Sequence, residues 1–174
     1  MTDLMLGNLI SLGASVFLAA SCCAKREKRA YLLQAAESGT LCCSYLVFAA
    51  WAGLSTQALS VARNLLVVRG RYNARWMVCF TVLAAVLGLA VNDRGLLGLL
   101  PVAATVQLTL CSHFCRGIRQ VKVSFLVNAV QWLVFSFSIG DVVNGCTQIL
   151  IILLCAVSLF RLGREEKAGV PAAG

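Results

Sequence analysis

The chain has 174 residues, of which 60% are hydrophobic and only 13% are charged, and its formal net charge is +8. Soluble domains carry about 45–50% apolar and about 25% charged residues, so this composition excludes a water-soluble domain and fits one membrane domain. The basic residues lie in short clusters between long apolar stretches, which is typical of membrane-flanking loops and argues against a nucleic-acid-binding face.

Seven apolar segments follow one another along the chain, each about 15–23 residues long and therefore close to the ~20 residues that cross a bilayer. In order they cover residues 4–24, 30–51, 54–68, 76–92, 97–115, 123–139 and 142–160. The first is not a cleavable signal peptide, because its positive charges follow the apolar stretch instead of preceding it. We predict an all-α fold, a polytopic membrane bundle with a single transmembrane domain at residues 1–162 and a cytoplasmic tail at 163–174.

The distribution of charged residues predicts the orientation of the spans. With seven spans, 13 of the 15 basic residues fall on one side of the membrane, at residues 25–29, 69–75, 116–122 and 161–174. The opposite side receives the N-terminus and the turns near residues 52, 93 and 140, with the loop charges Asp3, Asp93, Arg94 and Asp141. By the positive-inside rule the basic side is cytoplasmic, so we predict an external N-terminus and a cytoplasmic C-terminus.

The two ends of the chain are weakly self-similar. A shift of about 91 residues aligns Thr56-Gln57 with Thr147-Gln148. Such similarity is expected of parallel repeats in a three-one-three arrangement, but two unrelated apolar three-helix units would align about as well. The predicted halves are residues 4–72 and 97–162, and the helix at 76–92 is the linker.

Several polar side chains lie inside the predicted spans at one common depth. At 1.5 Å per residue, five of them lie about 9–13 Å from the basic loops. They are Glu37, Arg63, Gln107, Asn128 and Gln131. Charges at mid-span cost about 2.5–3.5 kcal/mol on insertion scales and are expected to face protein or water, as they do along transport pathways. The alternative is interhelical packing, in which each polar contact contributes only about 0.6 kcal/mol.

The helical spacing of the polar residues predicts that their faces converge on a solute cavity. We predict eight substrate-binding residues: Glu37, Arg63, Asn64, Gln107, Asn128, Gln131, Trp132 and Gln148. Glu37 and Arg63 have either a structural role, as a pair that neutralises two buried charges or with Arg63 extended to the cytoplasmic face, or a functional role, as a pair that binds a substrate anion or relays a proton. The sequence leaves both interpretations open.

The sequence offers little for metal binding or catalysis. It contains nine cysteines, which we expect to be small packing residues. Cys111 and Cys115 share a helical face, but His113 points about 200° away from Cys111, so the three cannot bind one metal. Motifs of hydrolases, metalloproteases and nucleotide-binding proteins are absent from the sequence. We predict no metal, no cofactor and no enzymatic activity.

Short motifs along the chain carry a family resemblance. They are Gln34, Ala62-Arg63-Asn64-Leu65, Leu100-Pro101, Arg119, Trp132-Leu133 and Arg161. On these motifs, residues 5–162 resemble the bacterial inner-membrane YgjV family, and the resemblance implies a multi-pass protein of the inner (plasma) membrane. The layout is also similar to that of the SWEET and PQ-loop transporters, which have a three-one-three arrangement, although their Pro-Gln signature is missing here.

Three functions are compatible with this pattern. The first is a small-solute transporter or permease with a polar cavity at mid-membrane. The second is a non-transporting regulatory or assembly protein whose polar layer only packs helices together, and a membrane enzyme is a weak third. A transporter predicts that the polar faces converge on one void, whereas packing predicts direct hydrogen bonds without a void. The expected partners are the lipid bilayer, an unknown small solute and a second copy of the chain, and no nucleic acid.

Overall fold

The computed structural model of the protein describes residues 2–22, 27–115 and 118–167, and this part of the chain folds into seven α-helices. They are α1 (Asp3–Cys22), α2 (Glu27–Val47), α3 (Trp51–Val68), α4 (Ala74–Ala90), α5 (Gly95–Phe114), α6 (Ile118–Ile139) and α7 (Val142–Lys167). Each helix corresponds to one predicted span, although α2 ends at Val47 and α4 at Ala90, before the predicted boundaries at 51 and 92. The described residues contain no strand, so the predicted all-α bundle is confirmed. α7 continues through residues 163–167 of the predicted tail, and the rest of that tail lies outside the described residues.

Four helices are long and apolar enough to cross a membrane, judged by length and composition: α1, α5, α6 and α7. α4 is also apolar but has only 17 residues. Over a stretch long enough to cross the membrane, the mean hydropathy of α2 and α3 is lower than that of these four helices, because polar side chains such as Glu37, Ser60 and Arg63 replace apolar ones along one face. Helices of this kind need a polar or protein-filled interior on one side.

The helices close into a ring. Consecutive helices pack against each other, and α1 also contacts α7. α3 contacts α5 as well as α4, which places α4 on the outside of the ring, against both neighbours. Within the described residues, α1 to α3 and α5 to α7 each pack in chain order, and the first and third helix of either group have no Cα atoms within 8 Å of each other. A peripheral α4 is compatible with a linker helix, but the three-one-three division stays a prediction.

Polar contacts join α1 to α7 where the ring closes. Asn8 accepts a hydrogen bond from the Val143 amide at 3.0 Å and donates one to the Gly140 carbonyl oxygen at 3.1 Å. Farther along the same interface, the hydroxyl oxygens of Ser15 and Thr147 lie 2.6 Å apart, within hydrogen-bond distance. Gly140 has a φ of 82°, in the left-handed region that glycine adopts without a steric penalty. This glycine lets the chain turn from α6 into α7 beside α1.

Three aromatic side chains lie at the centre of the apolar core, and we name them the aromatic layer: Tyr45, Trp132 and Phe135. The rings of Tyr45 and Trp132 stack with centroids 6.0 Å apart, and Phe135 meets both rings edge-on. α3 reaches this layer through Gly53, where a Cβ atom would lie 2.9 Å from Phe135 Cε1 and 3.0 Å from Tyr45 Cδ2. Glycine is therefore needed at this position for α3 to approach α2 and α6 so closely.

Candidate functional site

A cavity of about 100 Å³, lined by both polar and apolar side chains, lies inside the ring of helices. Among the described helices, all except α4 contribute side chains to its wall. A water molecule occupies about 30 Å³ of the liquid, so the cavity has room for roughly three waters or for a solute of a few heavy atoms. Sites for drug-sized ligands start at about 300 Å³, so a ligand of this cavity must be small.

Most of the predicted binding residues meet at this cavity. Six of the eight line it: Glu37, Arg63, Asn64, Asn128, Trp132 and Gln148. Further polar residues of the wall were not among the predicted eight: Gln34, Ser38, Gln57, Ser60 and Thr105. Gln57, Ser60 and Asn64 share one face of α3 at spacings of three and four residues, so helical periodicity is the signal that could have found the first two.

Two predicted residues lie outside the cavity. Gln107 Nε2 donates to the Ser124 carbonyl oxygen at 2.9 Å and to the Ser124 hydroxyl at 3.1 Å, which joins α5 to α6. Gln131 is half-buried on α6 and does not line the cavity. Asn128 lines the cavity but also donates to the Ala104 carbonyl oxygen at 2.9 Å. Part of the predicted polar layer is therefore interhelical packing, and part surrounds a void.

Arg63 supplies the positive charge of the cavity and is only 6% exposed. Its Nε and Nη2 donate to Asn64 Oδ1 at 3.4 and 3.3 Å, and its Nη1 donates to Thr109 Oγ1 at 3.3 Å. These bonds are longer than the usual range of about 2.7–3.2 Å, and both acceptors are neutral. Within the described part of the chain, Arg63 has no carboxylate within 4.0 Å.

Glu37 supplies the negative charge of the cavity, and the Ser38 hydroxyl donates to its carboxylate at 3.1 Å. Among the described residues, the one ion pair within 4.0 Å joins Arg94 to Asp93 and leaves Glu37 and Arg63 unpaired. The predicted structural pair is therefore not formed as a direct contact. Each charge is held by neutral hydrogen-bond partners, so α2 and α3 present opposite charges to one void.

The cavity is equipped for recognition by hydrogen bonds and charge. Glu37 is the carboxylate of its wall, beside amides and hydroxyls from several helices. In residues 2–22, 27–115 and 118–167, no group of three His, Cys, Asp or Glu side chains is close enough to hold a metal ion.

A buried hydrogen-bond network extends from the cavity toward the turn between α6 and α7, and we name it the Asp141 network. Its members are Ser11, Ser44, Tyr45, Ser136, Asp141, Asn144 and Gln148. Gln148 Nε2 donates to Asn144 Oδ1 at 3.2 Å. Asn144 Nδ2 donates to the Ser136 hydroxyl at 2.7 Å and to the Tyr45 hydroxyl at 3.1 Å. The wall of the cavity is thereby connected to the aromatic layer.

Asp141 forms the far end of this network and is completely buried. Its carboxylate accepts the Asn144 backbone N–H at 3.0 Å, as an N-cap of α7, and the Ser11 hydroxyl at 2.7 Å. Ser11 in turn lies 2.8 Å from the Ser44 hydroxyl oxygen. Burial raises the pKa of the Asp141 carboxyl above its ordinary value, and the bonds from Ser11 and Asn144 lower it in part. The sequence places Asp141 among the loop charges, whereas the structure buries it in the interface between α1, α2 and α7.

Comparison with known proteins identifies the family. No curated protein and no solved structure gives a significant match to the chain, and the similarity to the SWEET and PQ-loop layout stays a prediction. The sequence profile of the Imp-YgjV family, described as bacterial inner membrane protein, matches residues 5–166. This match includes every residue of the cavity wall. The chain belongs to the YgjV family of bacterial inner membrane proteins.

Proposed function

We propose that this multi-pass inner-membrane protein is a transporter or permease for a small polar solute. The proposal rests on two opposite charges, Glu37 and Arg63, which face one cavity inside the ring and do not form an ion pair with each other. Ionisable groups within a membrane are costly, and where they occur they mark substrate and ion pathways by default. Packing alone would favour closing the void and pairing the charges directly.

The two ends of the cavity have side chains suited to serve as barriers. Toward the α6–α7 turn, Trp132 lies in the wall and stacks on the buried Tyr45. Toward the basic loops, the Tyr72 hydroxyl donates to the Thr109 carbonyl oxygen at 3.1 Å, which ties the α3–α4 loop to α5 next to Arg63. A transporter that alternates access between the two sides needs a barrier at each end.

Interhelical packing is the second candidate role, and two contacts favour it. Gln107 is bonded to Ser124, and Asn128 is bonded to Ala104, so these amides hold α5 against α6 whether or not a solute binds. A regulatory or assembly protein would need only such contacts. It would not need the charged cavity wall, which is the feature that favours transport.

Filling the cavity should abolish transport. Ala129 is buried in the cavity wall, and the next residue of α6, Val130, is exposed on the outer surface of the bundle. We expect Ala129→Phe to lower solute uptake by about tenfold or more, since a ring in the cavity has to be displaced at a cost of at least ~1.4 kcal/mol. Val130→Phe adds the same ring on the outer surface and should leave uptake unchanged. The measurement is uptake of labelled glycine, acetate, methylammonium and glycerol by proteoliposomes.

The uptake experiment also separates the two candidate roles. If no solute of this panel enters faster than into protein-free vesicles, although the protein is folded, the packing role is favoured. Equal uptake by the Ala129→Phe and Val130→Phe variants would show that solute does not pass through this cavity.

The proposed orientation has an external N-terminus and a cytoplasmic C-terminus, and it rests on the asymmetry of basic residues between the loops. A fusion after Arg71 or Arg164 should therefore be fluorescent as a cytoplasmic reporter. A fusion near Asp93 should be active as alkaline phosphatase, which folds only outside the cytoplasm. The α6–α7 turn is unsuitable for a fusion because Asp141 is buried there. Phosphatase activity at Arg71 would contradict the orientation.

A further inference from the structure

The charges of the cavity wall balance each other without touching. Arg63 and Glu37 are the charged side chains of that wall, and its remaining polar groups are neutral amides and hydroxyls. Arg63 donates to Asn64 and Thr109, and Glu37 accepts from Ser38. The net charge of the wall is therefore zero, but it is divided between α2 and α3. A ligand that satisfies both charges must itself carry one positive and one negative group.

We infer that the cavity binds a small zwitterion, with the anionic group of the ligand on Arg63 and its ammonium group on Glu37. This inference rests on the proposed transport function and specifies its substrate class. A guanidinium donates two parallel N–H bonds to a carboxylate, which are shorter and stronger than bonds to neutral oxygens. The long bonds from Arg63 to Asn64 and Thr109 are the ones that a carboxylate would replace.

Ligands with a single charge fit this wall less well. An anion on Arg63 would leave the Glu37 carboxylate without a cation, and a cation on Glu37 would leave the Arg63 guanidinium without an anion. A buried charge without a partner is unfavourable in surroundings of low dielectric constant. The wall therefore selects a ligand that brings both charges together.

The volume of the cavity limits the distance between the two charges of the ligand. About 100 Å³ accommodates only a few heavy atoms. Glycine, with one carbon between its carboxylate and its ammonium group, is of this size, and the apolar wall at Leu18, Phe125 and Ile151 offers no further charge for a longer polar solute. The substrate class is a short-chain amino acid or a zwitterion of similar size.

Thermal unfolding of the full chain in lipid nanodiscs tests this inference with three matched probes. Acetate carries only the carboxylate of glycine, and methylammonium carries only its ammonium group. Glycine carries both charges on one molecule. Glycine should raise the unfolding temperature and bind about tenfold or more tightly than either fragment, because only glycine neutralises both charges. An equimolar mixture of the two fragments should not reproduce the effect of glycine.

Glu37→Gln keeps the size of the side chain and removes its charge. This variant should lose about tenfold in glycine affinity relative to acetate, because Arg63 then selects the anion alone. Glu37→Asp retains the charge and should retain the preference for glycine. If the wild-type protein binds acetate as tightly as glycine, the site is an anion site and the zwitterion class is wrong. If the wild-type protein binds methylammonium as tightly as glycine, the site is a cation site and the zwitterion class is wrong.

The uptake panel separates failure of the substrate class from failure of the transport function. Glycerol uptake that is lost in Ala129→Phe, without a response to glycine in unfolding temperature or uptake, would overturn the zwitterion class and leave transport intact. Absence of uptake for all four solutes, together with absence of any shift in unfolding temperature, would overturn both.

Discussion

Asp141→Ala should lower the free energy of unfolding by about 2–5 kcal/mol, a large effect for a single substitution. The change removes the N-cap of α7 at the Asn144 amide and the charged acceptor of the buried Ser11 hydroxyl, which keeps the Ser44 hydroxyl oxygen at 2.8 Å as a weaker partner. A lost cap costs about 0.5–2 kcal/mol and a lost hydrogen bond to a charged group about 1.5–3 kcal/mol. Unfolding by a denaturing detergent, followed by circular dichroism, measures the difference.

Asp141→Asn is the matched control, because asparagine keeps both the cap and an oxygen acceptor. Its stability should lie within about 1 kcal/mol of the wild type. Burial raises the pKa of Asp141, so the folded protein binds this proton more tightly than the unfolded chain does. The free energy of unfolding should therefore fall as the pH rises from the ordinary pKa of aspartate through the raised one. Asp141→Asn should lack this part of the pH dependence, and an identical pH dependence in both proteins would contradict the buried carboxyl.

Glu37→Gln and Arg63→Met should each destabilise the protein, and the double variant should regain part of the loss. Each single change leaves one charge in the cavity without the field of the other. The charges do not touch, so their coupling should be below the ~4 kcal/mol expected for contact at 4 Å in a dielectric of about 20. We expect a coupling energy of about 1–3 kcal/mol in a double-mutant cycle measured by detergent-induced unfolding.

Asp93 and Arg94 provide the control cycle, since they form a partly exposed ion pair at 3.9 Å outside the cavity. Their coupling should be close to zero because solvent screens exposed pairs. If the double Glu37→Gln and Arg63→Met variant folds but no longer responds to glycine, the pair binds solute. A cycle without any coupling would show that the two charges do not sense each other across the void, and the zwitterion site would lose its physical basis.

The helices could be located from sequence because their apolar lengths are bounded by charged clusters. The predicted span at 54–68 corresponds to Trp51–Val68, and the last span begins at residue 142 in both. The largest boundary error is at the end of α7, where the helix continues to residue 167. Hydropathy marks where a helix leaves the apolar layer. It does not mark where the backbone stops being helical, since Arg161 and Arg164 are themselves good helix formers.

The cavity residues could be predicted in part because depth along a helix is a simple count from its end. Depth does not specify the direction of a side chain. Asn128 and Trp132 are four residues apart and share a face of α6, whereas Gln131 is rotated by about 100° from Trp132. Gln107 has a suitable depth but bonds to Ser124 on the neighbouring helix. Such choices depend on how α5 and α6 are placed, which a single sequence does not encode locally.

Asp141 illustrates a different limit of sequence reasoning. A carboxylate between two apolar segments is normally a solvated loop charge. The residue that buries it here, Ser11, is 130 positions away in the chain. The local sequence does contain one signal. An aspartate directly before an apolar run, as Asp141 is before α7, is a typical helix N-cap.

The closure of the ring by α1 and α7 has a consequence for biosynthesis. Asn8 accepts from the Val143 amide and Ser11 donates to Asp141, partners that lie 130 to 135 residues later in the chain, so these bonds cannot form until the final helix has entered the bilayer. Until then Asn8 and Ser11 lack these partners, which lipid cannot replace, and they keep only bonds within α1 and to α2. When α7 packs against α1 it supplies the missing partners, and its own N-terminus is capped by Asp141. A chain whose synthesis stops before α7 therefore cannot close the ring, and the face of α1 that α7 covers stays exposed to lipid.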